Sequence, residues 1–144
     1  MDSCRPMSEF AFTTAIPIRY RDLDPWDHVN NAVYATYLEE ARTEYLDTVF
    51  ETPMEARDFV LANLELDYRA PITYDSDGVE IAVRTGDLGS SSLTLVYEVR
   101  RSDGTVSATG ETTQVHMGED GTPTPLPAEW RASIGEFEPG LDEV

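Results

Sequence analysis

A single stretch of helical periodicity, residues 31–48, interrupts a chain that otherwise alternates like strand, and this asymmetry limits the folds open to it. Val33, Tyr34, Tyr37, Leu38, Ala41, Tyr45 and Val49 recur largely at three- and four-residue intervals. At about 100° per residue most of them share one face of a helix. Asn30 is the expected N-cap, and Thr52-Pro53 forbids much continuation past the far end. Glu39 and Glu40 fall away from the apolar stripe, while Glu44 flanks it. Several tyrosines on the buried face point to a helix packed against a sheet.

The remainder reads as extended. Residues 11–20 form a strand rich in Thr, Ile and Tyr, with Pro17 marking an edge position or a bulge. Val60, Ala62, Leu64, Leu66 and Tyr68 alternate with Asn63, Glu65, Asp67 and Arg69, and two further segments at 79–84 and 93–100 alternate likewise. Ser102-Asp103-Gly104 signals a tight hairpin into residues 105–117, and Gly78 and Gly89 punctuate the other turns. After Gly118 the chain is rich in Pro and Gly, with one helical turn expected near 128–134. One strand, a long helix and four strands on short turns predict an α+β domain, in which a five-stranded antiparallel meander wraps one central helix. Residues 10–137 are expected to form this single domain. Residues 1–9 read as a flexible leader, with Met7 a second candidate start, and 138–144 as an acidic tail. The uncovered sheet face and edges predict a homodimer.

Charge narrows the partners. The chain holds 28 acids against 10 bases, a net charge of −18, and every base is Arg. The acids are dispersed, unlike a clustered tail built for a basic partner. Dispersed acid without Lys reads as adaptation to concentrated salt, where the Debye length falls to about 3 Å and self-repulsion is screened. Nucleic acid is excluded as a partner, because such binding needs a basic face. No apolar run approaches the ~20 residues of a membrane span, and the N-terminus lacks a secretory pattern, so no membrane partner and a cytoplasmic location are expected. Cys4 has no partner for a disulfide, and its polar setting argues against catalytic duty.

The chemistry concentrates just ahead of the helix, in Arg21-Asp22-Leu23-Asp24-Pro25-Trp26-Asp27-His28-Val29-Asn30-Asn31. Pro25 bars a regular helix there. Carboxylates placed beside the amide end of a helix suit chemistry that develops negative charge. One of them can attack a carbonyl or deprotonate a water that does, while the amides stabilise the oxyanion, worth roughly 3–4 kcal/mol per good donor. This is an acyl-transfer arrangement without Ser, Cys or metal. The loop lacks the spacing, central Gly and distal Glu of a calcium loop, and no His-x-x-x-His or paired Cys offers a zinc site. No metal and no cofactor is therefore expected. A phosphotransfer reading fails for want of a Gly-rich loop and Lys. Plainer roles stand beside these: Asp22 as a turn cap or partner of Arg19 or Arg21, Asn30 and Asn31 as caps, Tyr34 and Tyr37 as core, and His116 facing solvent or a neighbouring strand.

The motif Tyr20-x-Asp22-x-Asp24-x-x-x-His28-Val29-Asn30-Asn31-x-x-Tyr34-x-x-Tyr37-x-Glu39-Glu40-Ala41-Arg42 resembles the signature of the hot-dog fold acyl-CoA thioesterases, of the 4-hydroxybenzoyl-CoA thioesterase type. Tyr68-Arg69-x-Pro71 and Leu88-Gly89-x-Ser91-Ser92 carry the likeness over about residues 11–137. The resemblance implies the hot-dog fold, hydrolysis of an acyl-CoA to free acid and CoA, and assembly as a homodimer or a homotetramer of two dimers. By motif position Asp24 is the catalytic carboxylate, the Asn31 backbone N–H polarises the carbonyl, and His28 orients water or substrate. Asn30, Tyr34, Gly89, Ser91 and Ser92 are implied in substrate binding. The CoA phosphates would meet an Arg such as Arg69, Arg84, Arg100 or Arg101. One position departs from the pattern: the residue before the His is commonly Gly, and here it is Asp27. Were that position left-handed, Asp would tolerate it better than most residues. Two other functions stay open. One is an enoyl-CoA hydratase on the same fold, whose Asp-x-Asn-Pro-x-His motif Asp22 to His28 approaches with one residue too many and Asp24 in place of Asn. The other is a non-catalytic acyl-CoA-binding protein, against which the presence of Asp24 speaks.

Overall fold

Alternating segments and one helical stripe resolve into five strands and two helices. The computed structural model of the chain describes residues 10–75 and 77–141. The expectations for residues 1–9, Cys4 and Met7 included, and for 142–144 lie outside them. The strands are β1 (Phe12–Ile16), β2 (Phe59–Tyr68), β3 (Val79–Leu88), β4 (Ser92–Arg100) and β5 (Val106–His116), and the helices α1 (Val33–Val49) and α2 (Ala128–Phe137). All pairings are antiparallel, in the order β1-β3-β4-β5-β2. This is the hot-dog fold, a five-stranded sheet around one long helix.

The sheet is not a simple meander. β3, β4 and β5 follow one another, but β2 pairs with β5 instead of β3. The connector at residues 69–78 must therefore cross three strand spacings, about 14 Å at ~4.8 Å each. It does so at the end of the sheet where α1 begins, a consequence that matters below.

Inside, the helix face of Tyr34, Tyr37, Leu38, Ala41, Tyr45, Leu46 and Val49 packs on the inner sheet residues Ile81, Val83, Leu93, Leu95, Tyr97 and Val99. Leu46 joins the expected set. Gly110 lets the two layers close, since a Cβ there would meet the Leu38 and Leu66 side chains at 3.2 Å. The hydroxyls that Tyr37, Tyr45 and Tyr97 carry into this core find partners, as burial requires. The Tyr97 hydroxyl meets Thr112 Oγ1 at 2.6 Å, and the Tyr45 hydroxyl donates to Glu138 Oε2 at 2.5 Å.

Several boundaries differ from expectation, each for a local reason. β1 stops at Ile16 because Pro17 has no N–H to continue the ladder. α1 begins at Val33 because Asn30 closes a tight turn first, its Oδ1 accepting from the Ala32 N–H at 2.8 Å and its carbonyl from the Val33 N–H at 2.9 Å. Ala32, with no side chain to cap, takes the N-cap position. The expected single turn near 128–134 is a ten-residue helix that buries Trp130 and Ile134. Glu138, expected to open the acidic tail, is buried: its Oε2 also accepts the Thr85 N–H at 3.1 Å, so the chain through Leu141 packs on the core. No described helix is long and apolar enough to cross a membrane.

Candidate active site

The loop before α1 is a small folded unit. Leu23 and Val29 bridge, the Asp24 N–H reaches the His28 carbonyl at 2.7 Å, and the Asp27 N–H reaches the Asp24 carbonyl at 3.0 Å. Closing so short a turn puts Asp27 at φ 65°, in the left-handed region. That is the conformation the commoner Gly would take freely.

Asp22 and Asp24 lie two residues apart and have different fates. Asp22 is buried, and its Oδ2 accepts from the Arg19 N–H and the Tyr37 hydroxyl, each at 2.9 Å. Burial and this hydrogen bond push the Tyr37 phenol well up. Asp22 thus ties the loop to the helix, the plainer of its two roles. Asp24 stays partly exposed: Oδ1 accepts from the Trp26 and His28 N–H groups at 2.9 and 3.1 Å, and among the described residues nothing engages Oδ2. The side chain is aimed by the loop backbone and keeps one oxygen free.

The helix mouth is equally unfinished. Asn31 turns its carbonyl to the Tyr34 N–H at 3.4 Å and to the Tyr68 hydroxyl at 2.8 Å. Its own N–H has no acceptor among the described residues. Asp24, His28, Val29, Asn31 and Tyr34 together line one cavity of about 390 Å³. Its opposite wall is Tyr68, Arg69, Ala70 and Pro71, the start of the connector that the sheet order forces across this end. The wall is pinned from two sides, by the Val29 N–H on the Ile72 carbonyl at 2.7 Å and by Arg101 Nη1 on the Pro71 carbonyl at 3.1 Å. Tyr34 meets Tyr68 edge-on, and its phenol is pushed up to about 12, chiefly by burial.

Of the residues singled out from sequence, Asp24, His28, Asn31 and Tyr34 come together. Asn30 is beside them but spends its side chain on the Ala32 N–H, a structural use that leaves it off the cavity wall. Gly89, Ser91 and Ser92 are not brought to this cavity. They form the β3–β4 turn, some 30 Å of strand away at ~3.3 Å per residue. There Leu126 and Arg131 hold the turn through the carbonyls of Gly89 and Ser90.

Among the four arginines considered for phosphate, Arg100 is held by Glu98 and Glu80 and Arg101 by Asp103. Arg84 lies over the Phe10 ring, and Arg69 is the one that lines the cavity. Tyr68 had a signal in the sequence, the Tyr-Arg-x-Pro element, but no assigned role, whereas Arg69 was one of the candidates for the CoA phosphates. Among the described residues no group of three or more His, Cys, Asp or Glu gathers as a metal site.

The family model described as "Thioesterase-like superfamily" matches residues 18–134. A thioesterase from Thermus thermophilus, crystallised with coenzyme A and Zn, is 38% identical to this chain and superimposes with a TM-score of 0.83 over 92% of this chain and 98% of that one. The uncharacterized protein YsmA of Bacillus subtilis is 30% identical over 117 residues, 78% of this chain and 77% of that protein. The chloroplastic acyl-acyl carrier protein thioesterase ATL2 of Arabidopsis thaliana is 26% identical over 132 residues, 85% of this chain and 68% of that protein.

Proposed function

The chain belongs to the thioesterase-like superfamily, and on that footing we propose that it hydrolyses acyl-CoA thioesters to free acid and CoA. One observation carries the reading: a single cavity is lined both by Asp24, with a carboxylate oxygen free among the described residues, and by Asn31, whose N–H has no acceptor among them. In this reading the thioester carbonyl enters between them. Asp24 takes a proton from water as the water oxygen bonds to the carbonyl carbon, and the Asn31 N–H stabilises the oxyanion. The tetrahedral intermediate then expels the CoA sulfur, which leaves as thiolate and takes a proton. Alternatively Asp24 itself attacks, and water opens the resulting anhydride. Solvent oxygen entering Asp24 in a single turnover would select the second route. His28 orients the water or substrate, Tyr34 forms part of the acyl wall, and Arg69 faces the anionic substrate.

The test is thiol release from a panel of acyl-CoA and acyl-carrier-protein thioesters in molar KCl. Asp24→Asn is expected to slow hydrolysis at least a hundredfold, about 2.7 kcal/mol in barrier. Equal rates in variant and parent would leave a non-catalytic binding protein, and hydration of crotonyl-CoA without thiol release would leave a hydratase. Turnover of the carrier-protein substrates alone would move the substrate class to that named for the Arabidopsis relative.

The same reading includes a second copy of the chain and a cytoplasmic setting rich in salt. Val60, Leu61 and Leu64 stand exposed along β2, one of the two sheet edges no described strand covers. An edge of this kind invites antiparallel pairing with its own copy. Gly89, Ser91 and Ser92 keep a substrate role only if an assembly brings such a turn to the cavity. Sedimentation equilibrium that returns a monomer at micromolar concentration in molar salt would remove the dimer.

A further inference from the structure

Four tyrosines of the core, Tyr34, Tyr37, Tyr45 and Tyr97, are at most 2% exposed. Three of their hydroxyls are engaged: Tyr37 donates to Asp22 Oδ2 at 2.9 Å, Tyr45 to Glu138 Oε2 at 2.5 Å, and Tyr97 meets Thr112 Oγ1 at 2.6 Å. The Tyr34 hydroxyl has no partner among the described residues, although a buried phenol normally finds one. It is not sealed in either: the side-chain polar atoms shut away without a partner lie on Arg57, Arg84, Ser107 and Gln114. It therefore opens onto the cavity that Tyr34 lines. The ring does not need the oxygen, since it packs edge-on to Tyr68 at 5.0 Å and tilted to Tyr37 at 6.5 Å.

The other polar groups of the cavity have uses. Asp24, His28 and the Asn31 N–H serve the thioester and its water in the reading above, and the Tyr68 hydroxyl holds the Asn31 carbonyl at 2.8 Å. Arg69 stands exposed at the rim. Tyr34 is the one α1 residue on the cavity wall, and at the next turn Leu38 and Leu66 close over Gly110. An acyl group held between Asp24 and Asn31 thus meets Tyr34 on its buried side, away from the exposed rim. Burial keeps this phenol protonated at neutral pH, so it offers a proton to an acceptor.

We propose that the Tyr34 hydroxyl donates to an oxygen on the acyl group, which makes thioesters with a keto or hydroxyl oxygen beyond the thioester carbonyl the preferred substrates. The inference rests on the hydrolytic reading and narrows its substrate class. An acyl group without that oxygen displaces water from the hydroxyl and leaves it unpaired, a penalty that such a pocket converts into discrimination.

Thiol release separates the acyl groups. In the parent, kcat/KM is expected to be about tenfold higher with 3-hydroxybutyryl-CoA and acetoacetyl-CoA than with butyryl-CoA, and Tyr34→Phe is expected to lower both ratios about tenfold. Taking ratios cancels any general damage to the site and the intrinsic reactivity of the keto thioester. A parent that treats 3-hydroxybutyryl-CoA and butyryl-CoA alike would overturn the proposal, as would ratios that survive in the variant. If the parent releases no thiol from any thioester, the hydrolytic reading fails separately. Two thioethers that cannot be hydrolysed, S-(3-oxobutyl)-CoA and S-butyl-CoA, then decide by calorimetry. Binding of the oxygenated thioether about tenfold tighter in the parent, and no tighter in Tyr34→Phe, upholds the hydroxyl's role; equal affinities in the parent overturn it. The same pair on the parent decides if the variant does not fold.

Discussion

The two ends of α1 are finished in opposite ways. At the carbonyl end, Phe50 caps the helix and stacks on Trp130 at 4.9 Å, while Phe59 and His116 close around the same indole. Trp130 Nε1 donates to Thr52 Oγ1 at 3.0 Å, and His116 Nδ1 faces the Thr124 carbonyl at 3.1 Å. Aromatic surface and polar tips are both satisfied there. At the amide end, among the described residues, Asn31 keeps an unpaired N–H and Asp24 a free oxygen, Asp27 has a left-handed backbone, and Trp26 stands 75% exposed. Packing is completed where the helix stops, and polar groups are left open, among the described residues, where it starts.

Trp130→Ala tests that division most severely. Emptying the aromatic plug should cost about 4 kcal/mol of stability and roughly 10 °C in Tm, with hydrolysis per folded molecule intact below the new transition. A matching loss of activity in the folded variant would mean that the two ends are coupled.

Alkali sharpens the contrast along the helix. Tyr34, near the mouth, has its phenol pushed up to about 12 by burial, and Tyr37 and Tyr45 further along are pushed higher still, again chiefly by burial. A raised phenol stabilises the fold fully below the unfolded value of about 10, and that contribution is lost as the pH climbs toward the folded value. Tm should hold up to about pH 10 and then fall by several degrees per unit, with tyrosinate absorbance from these rings appearing only as the fold opens. Ionisation of these rings in an intact fold would contradict it.

The smallest effect is expected at Asp27. Asp27→Gly relieves the left-handed strain but loosens the unfolded chain, a net gain of about 0.5 kcal/mol in denaturant melts with hydrolysis unchanged. A clear loss of rate would give the Asp27 carboxylate a part in the chemistry.

Much of this could be read from sequence because local rules govern it. The stripe from Tyr34 to Val49 and the alternation from Leu93 to Val99 each name a buried face directly, and the loop motif named Asp24, His28 and Asn31 with no knowledge of the sheet. What escaped depends on contacts between distant segments. Strand alternation cannot say which neighbour β2 chooses, so the connector's place across the helix mouth, and with it the wall of Tyr68 to Pro71, was hidden. His116 is polar by type but is claimed by Trp130, and Glu138 looks like a tail residue until Tyr45 and Thr85 reach it. Gly89, Ser91 and Ser92 belong to the same family resemblance as Asp24 yet stand at the other end of the strands.

That cavity wall belongs to a connector, and connectors answer to different constraints from ladders. Lengthening or shortening the stretch between Thr73 and Gly78 would shift no cross-strand register, because the ladder resumes only at Val79. The scaffold can therefore vary the length of that crossing, beside the hollow lined by Asp75, Gly78, Arg101 and Asp103, with its core residues and the wall of Tyr68 to Pro71 untouched.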